Sequence, residues 1–264
     1  MRFAVDVPNF GDFADPRVVA DLARRAEQAG WDGLFVWDHV THRKVLRRAI
    51  ADPWVLLTAA ALATERIRLG TMITPLARRR VSKLAREVTT LDRLTGGRMI
   101  LGVGLGAPIP DEFGSFGEPV TFRGQHVVVE DVAFLPTPVQ RPRVPVWVGG
   151  EWPARPPMRR AARWDGAAPI LLSAPGRKPR QPDAATVGEI HAFLRGQRAA
   201  AGIHEEPFDL VMSGTSPADP AAAADLVGPL GQAGATWWAE CLWDDLERAE
   251  PMVRRVEQGP PPRS

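Results

Sequence analysis

Residues 29–39 read AGWDGLFVWDH, and this stretch joins the end of a helix to a short apolar strand. Upstream, residues 15–30 carry apolar side chains at helical spacing, and Gly30 is suited to end that helix. Downstream, residues 34–37 are apolar throughout and lead directly into Asp38 and His39. The pattern therefore predicts a helix, a buried strand and a polar strand end.

The same alternation of apolar runs and helical patterns continues along almost the whole chain. We predict strands at residues 3–10, 34–37, 67–73, 99–103, 144–148, 166–172, 208–212 and 235–242. We predict helices at residues 15–30, 53–64, 81–94, 158–164, 186–201, 220–233 and 245–257. Strands that are apolar throughout are typical of parallel sheets covered on both faces, and the intervening helices would form the crossovers.

The fold class that this pattern predicts is α/β, as a (β/α)₈ TIM barrel. An open doubly wound sheet would also alternate strands and helices. The barrel is favoured because eight strands are predicted and no dinucleotide-binding fingerprint opens the chain. We expect one domain over residues 1–264, with an irregular insertion at 105–143 and a frayed tail at 258–264.

The crossover between the fourth and fifth predicted strands is unusual. Residues 105–143 lack a helical period, and residues 119–129 read as a hairpin that turns at Arg123-Gly124. Four prolines follow within residues 136–145. We therefore predict that the crossover helix is missing. We expect the gap to be covered by the hairpin, by the Pro-rich segment or by a second subunit in a homodimer.

Composition excludes several classes of function. Lys and Arg number 33 against 31 Asp and Glu, and this near balance, with no face that concentrates charge, argues against nucleic-acid binding. No stretch approaches the roughly 18–20 apolar residues of a membrane span, and no apolar signal segment opens the chain, so we expect a cytoplasmic protein. The run Arg78–Arg80 is interpreted as a solvated helix face.

The single cysteine, Cys241, excludes an internal disulfide and any multi-cysteine metal site. It lies in an apolar run, which predicts a buried and unreactive thiol. His42, His126, His191 and His204 show no metal-ligand spacing, so no metal site is predicted.

In a TIM barrel the site forms at the carboxyl-terminal ends of the strands. The residues at or near these predicted ends include Asn9, His39, Met72, Ile73, Gly104, Gly149, Gly150 and Glu240. Glycine-rich ends suit a phosphate held by backbone N–H groups, and apolar ends suit a planar ring.

Each of these signals has a structural alternative. His39 is either a site residue or a satisfied structural histidine. Gly149-Gly150 is either a phosphate-binding turn or a plain turn from strand to helix. Glu240, a carboxylate within an apolar strand, is functional unless it is paired or reaches water.

Seven segments give the chain a family resemblance. They are residues 29–39, 52–54, 64–71, 91–98, 101–106, 144–150 and 160–166. In this order they resemble the bacterial luciferase-like family of flavin- and deazaflavin-dependent oxidoreductases, and they span nearly the whole chain.

The resemblance implies a barrel that binds coenzyme F420, or alternatively FMN, across its mouth. It implies that His39 lies beside the ring and assists proton transfer. A bulge near Met72 and Ile73, often with a non-proline cis peptide in this family, would support the ring. The phosphate tail is expected near Gly149 and Gly150, with help from Arg177 or Lys178. Asn9 and Gly104 complete the cofactor-binding residues that we predict.

The chain also departs from the family pattern. Where the sugar-phosphate and alcohol dehydrogenases of the family have a glutamate after the fourth strand, this chain has Ala107. Asp111, Glu112 or Glu240 would have to replace that proton donor, and we assign catalysis to His39 and Glu240.

The leading hypothesis for function is hydride transfer between the cofactor and a small organic substrate. A non-catalytic cofactor-binding protein is the first alternative, which Ala107 and the missing helix suggest. A barrel hydrolase or isomerase without flavin is the second.

Overall fold

The computed structural model describes residues 1–40, 49–104, 119–123, 128–133, 136–173 and 179–262. In this part of the chain, eight parallel strands close into a barrel with the order β1-β10-β9-β8-β7-β4-β3-β2. The strands are β1 Arg2–Val7, β2 Gly33–Val36, β3 Arg68–Pro75, β4 Met99–Gly104, β5 Pro119–Arg123, β6 Val128–Ala133, β7 Val146–Trp152, β8 Gly166–Leu171, β9 Asp209–Gly214 and β10 Trp237–Glu240. The predicted TIM barrel is confirmed, with β5 and β6 outside it.

Helices on the outside of the barrel connect most of the strands. They are α1 Pro16–Gln28, α2 Pro53–Leu62, α3 Val81–Thr95, α4 Arg155–Ala161, α5 Ala184–Ala200, α6 Pro220–Gln232 and α7 Ala249–Glu257. Aspartates at the starts of α1, α2, α5 and α6 accept hydrogen bonds from backbone N–H groups of the first turn. Such caps satisfy donors that have no partner within the helix, and they explain why these helices begin where they do.

The interior of the barrel is filled by large side chains. Trp147 lies between Phe35 and Trp237, with ring centroids 5.1 and 5.3 Å apart. Ala4, Ile100, Val211 and Ala239 complete this buried group. Met72 and Ala168 pack against it and also line the cavity described below. The packed interior means that a ligand site lies above this group rather than through the barrel.

The connection between β4 and β7 contains the predicted hairpin. β5 pairs antiparallel with β6, while the turn, within residues 124–127, lies outside the described residues. No helix occurs in 119–123, 128–133 or 136–145, and residues 105–118 are also outside the described part. The Pro-rich segment is held on α3, because Asp92 accepts hydrogen bonds from the backbone of Val139 (2.7 Å) and Gln140 (3.1 Å).

Two boundaries that bear on the site differ from the sequence prediction. The first strand ends at Val7 rather than at Phe10, so Asn9 belongs to the loop that follows it. β7 continues to Trp152 rather than ending at Val148. Of the helices in the described part, none is both long and apolar enough to cross a membrane.

Candidate functional site

A cavity of about 600 Å³ opens at the carboxyl-terminal ends of the barrel strands. Its walls combine apolar side chains with a few polar groups. The lining residues include Asp6, Trp37, Asp38, His39, Met72, Ile73, Gly149, Gly150, Glu151, Ala168, Ile170, Arg180, Ser213, Trp243 and Leu246. The structure thus brings His39, Met72, Ile73, Gly149 and Gly150 of the predicted site to one cavity.

His39 is fixed by its neighbours in the loop after β2. Its backbone N–H donates to Asn9 Oδ1 at 3.1 Å, and its carbonyl accepts from Asn9 Nδ2 at 2.8 Å. The imidazole stacks on Phe10 and lies against Trp37, with centroids 6.0 and 5.5 Å apart. This packing holds the ring at the edge of the cavity.

Asn9 does not line the cavity. It is fully buried, and its Nδ2 also donates to the carbonyl of Ala51 at 2.8 Å. Its amide group therefore joins the loop after β1 to the loops on either side of residues 41–48. This geometry gives Asn9 a role in positioning His39, rather than the direct cofactor contact expected from the sequence.

An ion pair between Arg79 and Asp38 also holds the loop after β2 that carries His39. Arg79 donates to the buried carboxylate of Asp38 through Nη2 (2.8 Å) and Nε (3.1 Å), and Arg78 donates to the Asp38 carbonyl. Both arginines precede α3. The interpretation of Arg78–Arg80 as a solvated helix face is therefore wrong for Arg79, which is partly buried, while Arg78 and Arg80 are exposed.

Met72 and Ile73 form the irregularity that the resemblance implied. The peptide bond between them is cis, and the pairing of β3 with β4 shifts register between Thr71 and Thr74. Both residues line the cavity. The expected bulge at the third strand is therefore present.

Gly104 and Gly149 leave space for the Ile73 side chain. A Cβ on Gly104 would lie 2.4 Å from Ile73 Cδ1, and a Cβ on Gly149 would lie 2.6 Å from the same atom. Carbon atoms that are not bonded to each other do not approach that closely. These glycines therefore let Ile73 lie across β4 and β7, and Gly104 itself is not among the lining residues.

Gly149-Gly150 is not a turn. Both residues lie inside β7 and pair with Ala168 and Pro169 of β8. A Cβ on Gly150 would lie 2.4 Å from Pro157 Cβ of α4. The predicted turn is wrong, because the strand continues through both glycines and the absent side chain at Gly150 allows α4 to pack closely, while phosphate binding at these two residues stays a prediction.

Glu240 is buried away from the cavity. Its carboxylate accepts from the backbone N–H of Ser216 at 2.8 Å and from Trp238 Nε1 at 3.0 Å, and it lies 3.5 Å from Arg255 Nη2 of α7. A buried carboxylate with these partners is compensated for its loss of water. The geometry favours a structural role for Glu240 over the catalytic role that the sequence suggested.

Several candidate residues lie outside the described part of the chain. Arg177 and Lys178, either of which was predicted to help hold a phosphate, are two of them, and Ala107, Asp111 and Glu112 are others. The sequence analysis missed Arg180, which lines the cavity and donates to Asp183 (2.9 Å) and Thr186 (3.1 Å).

Asp6 is the second residue that the sequence analysis missed. It lines the cavity at only 4% exposure, and its Oδ2 accepts from Trp37 Nε1 at 3.0 Å. Oδ1 has no hydrogen-bond partner among the described residues. Burial raises the pKa of Asp6 to about 8, partly opposed by the Trp37 hydrogen bond. The available signal was a carboxylate within an apolar strand, the same signal that identified Glu240.

Cys241 is buried, as the sequence predicted, and burial raises the pKa of its thiol well above the usual value. A neutral, enclosed thiol is a poor nucleophile. Among the described residues, no group of three or more His, Cys, Asp or Glu side chains could hold a metal ion.

A model of the luciferase-like monooxygenase family matches residues 3–118. Over this part of its length the chain is similar to the luciferase-like family. Among its relatives, the F420-dependent glucose-6-phosphate dehydrogenase of Intrasporangium calvum is 31% identical over 193 residues, covering 62% of this chain and 56% of that protein. The enzyme of the same name from Beutenbergia cavernae is 34% identical over 154 residues, covering 50% and 45%. This luciferase-like chain spans about half the length of such curated relatives.

Solved structures of other oxidoreductases share the fold. The coenzyme F420-dependent tetrahydromethanopterin reductase of Methanopyrus kandleri superposes with a TM-score of 0.75 at 16% identity, covering 98% of both chains. The oxygenating constituent of 3,6-diketocamphane monooxygenase from Pseudomonas putida, in complex with FMN, gives 0.74 at 15% identity, covering 98% of this chain and 96% of that one. At such identities the likeness concerns the fold alone.

Proposed function

We propose that this luciferase-like protein is an oxidoreductase that transfers a hydride between a flavin-type cofactor and a small organic substrate. Coenzyme F420 is the favoured cofactor and FMN the alternative. The observation that carries the proposal is the cavity at the barrel mouth, which has the Met72-Ile73 bulge in one wall and His39 in another. The named activities of the relatives from Intrasporangium calvum and Beutenbergia cavernae support the choice of F420.

The cavity suits a planar ring in size and chemistry. Its volume of about 600 Å³ lies within the range of sites for small organic ligands. Met72, Ile73 and Ala168 offer apolar surface, and Trp243 and Leu246 line another part of the cavity. Asp6 Oδ1, which is buried without a hydrogen-bond partner in the described part of the chain, gives the cavity a polar point that a ligand atom would satisfy.

In the proposed reaction, residues of the chain transfer a proton, position the loop after β2 and exclude water. A bound cofactor of this type supplies the hydride chemistry. His39 is the residue placed to accept or donate a proton at the cavity edge, since histidine is suited to both near neutral pH. Asn9 and the Asp38–Arg79 pair keep the loop that carries His39 in place. The apolar walls exclude water from the ring.

A side-by-side titration of the purified protein with F420 and with FMN tests the proposal. We expect saturable binding, with the tighter dissociation constant for F420, followed by F420H2-dependent turnover in a screen of small organic acceptors. Fluorescence of each cofactor reports the binding. If neither cofactor binds, the proposed function is refuted.

One observation favours a second candidate, a protein that binds the cofactor without catalysing turnover. Ala107 stands where related dehydrogenases of the family carry a glutamate. Tight F420 binding without turnover across the acceptor screen, and no activity gained on replacing Ala107 with Glu, would support this second candidate.

A further inference from the structure

Asp6 places an unsatisfied oxygen at the wall of the cavity. β1 is otherwise apolar from Phe3 to Val7, and Asp6 points into the barrel, where Trp37 Nε1 donates to its Oδ2 at 3.0 Å. Oδ1 is buried and has no hydrogen-bond partner among the described residues. Buried polar atoms in folded proteins almost always have a hydrogen-bond partner, so we expect a molecule bound in the cavity to provide one for Oδ1.

Asp6 receives one hydrogen bond, from Trp37, and this determines whether its other oxygen acts as a donor or an acceptor toward the cavity. An ionised carboxylate has about four acceptor sites and would keep only one of them satisfied here, at a large loss of solvation. A neutral carboxylic acid accepts from Trp37 through Oδ2 and carries its proton on Oδ1. In that form the free atom is a donor that faces the cavity.

We propose that Asp6, as a neutral acid, donates a hydrogen bond to an uncharged acceptor atom of the molecule bound in the cavity, such as a carbonyl oxygen. The inference rests on the proposed function in one respect, since the bound molecule is taken to be the cofactor ring or its substrate. It specifies that molecule further: a neutral carbonyl compound fits this wall, and an ammonium group does not.

The charges around Asp6 agree with a neutral acid. Burial raises its pKa to about 8, so the acid form predominates at neutral pH. The other titratable residues that line the cavity are Asp38, His39, Glu151 and Arg180, and the carboxylates of Asp38 and Asp183 hold Arg79 and Arg180 respectively.

On the neighbouring strand β10, the acidic groups do not change this conclusion. The carboxylate of Glu240 binds Ser216 and Trp238 and lies near Arg255. Cys241 is buried, and its pKa is raised by burial and by the nearby charge of Asp6. Among the described residues, the causes of the shift in the pKa of Asp6 are burial and the hydrogen bond from Trp37, with no contribution from an arginine or lysine.

The test compares two probes of similar size, cyclohexanone and cyclohexylammonium. Their dissociation constants are measured by ligand-observed NMR at about pH 6.5 and about pH 9.5, which bracket the Asp6 pKa of about 8. For the natural sequence we expect cyclohexanone to bind at least tenfold more weakly at the higher pH, because the donor is lost.

Two variants isolate Asp6 from the other titratable groups. Asp6→Asn keeps an acceptor for Trp37 and a donor for the ligand, so cyclohexanone should bind it with an affinity that does not depend on pH. Asp6→Leu removes the donor and should bind the ketone at least tenfold more weakly at the lower pH. Circular dichroism and the thermal midpoint verify that both variants fold, and Asp6→Asn suffices if Asp6→Leu does not.

Three results would overturn the inference. They are a ketone affinity of the natural protein that is independent of pH, no ketone binding at either pH, and tighter binding of cyclohexylammonium than of cyclohexanone at about pH 6.5, which indicates an Asp6 that is already ionised at that pH. The F420 and FMN titrations keep the two proposals separate. Ketone binding with the expected pH dependence but no cofactor binding refutes only the proposed function, whereas cofactor binding with a pH-independent ketone affinity refutes only the role of Asp6.

Discussion

Asp6 and Glu240 are carboxylates in apolar strands, and their surroundings give them opposite properties. Glu240 points out of the barrel, where Ser216, Trp238 and Arg255 compensate it. Asp6 points inward and receives one hydrogen bond, from Trp37. Because the strands are apolar on both faces, the sequence does not show which way a single polar residue points. Only Glu240 was selected from the sequence, and Asp6 was missed although it carries the same signal.

The raised pKa of Asp6 predicts how stability depends on pH. The folded-state value is about 8 and the ordinary value is 3.8, so the folded state binds more protons between these limits. Stability should therefore fall as pH rises from about 4 to about 8 on account of this residue. Asp6→Asn should remove that fall and raise the free energy of unfolding at pH 8 by at least about 1 kcal/mol relative to the natural protein.

Urea unfolding at about pH 5 and about pH 8 measures this effect. Glu205→Gln is the matched control, because Glu205 has a side chain that is 91% exposed. An Asp6→Asn variant whose stability falls between the two pH values as steeply as that of the natural protein would contradict the raised pKa.

At the scale of elements, three strands cooperate to place one side chain in the cavity wall. The bulge in β3 directs Ile73 across β4 and β7, and Gly104 and Gly149 leave space for its Cδ1 atom. From the sequence, Gly149 was assigned with Gly150 to a phosphate-binding turn because paired glycines often mark a turn, and Gly104 was assigned to the cofactor-binding residues. Their actual function depends on a side chain 31 or 76 residues earlier in the chain, which local pattern does not reveal.

Gly149→Ala should therefore disturb cofactor binding through Ile73. The added methyl group would lie 2.6 Å from Ile73 Cδ1 and must push that side chain into the cavity or along its wall. We expect the dissociation constant for F420 or FMN to rise about tenfold, equivalent to about 1.4 kcal/mol. In an Ile73→Ala background, where the conflicting atoms are absent, Gly149→Ala should change the dissociation constant by less than about threefold.

Fluorescence titration of the natural protein, the two single variants and the double variant gives the coupling between Gly149 and Ile73 in cofactor binding. Gly150→Ala is a useful control, since its methyl group would meet Pro157 and α4 instead of Ile73. It should lower the thermal midpoint more than it alters cofactor affinity. Equal effects of Gly149→Ala in both backgrounds would show that Ile73 does not transmit the change.

For the whole molecule, the pattern of apolar runs and helices was enough to predict a closed eight-stranded barrel, and the predicted starts of α1, α2, α5 and α6 lie within two residues of the observed ones. The site was predictable only in part. His39, Met72 and Ile73 follow from strand ends and from the family resemblance. Arg79 with Asp38, and Asn9 with His39, are contacts across 41 and 30 residues that depend on the pairing of β1, β2 and β3. Such contacts carry no local sequence signal.

Because the cavity is built from most of the barrel strands, cofactor binding should stabilise the entire fold. A cofactor at 100 times its dissociation constant adds about 2.7 kcal/mol to the free energy of unfolding, which corresponds to a rise of roughly 5–10 °C in the thermal midpoint for a domain of this size. His39→Ala removes the ring from the cavity edge and should reduce this rise to less than half at the same cofactor concentration. His204→Ala, at an exposed position, should keep the full rise.

Differential scanning calorimetry with F420 and with FMN gives the result. The same rise in His39→Ala as in the natural protein would remove His39 from the cofactor site, and no rise in any of the three proteins would argue against cofactor binding altogether.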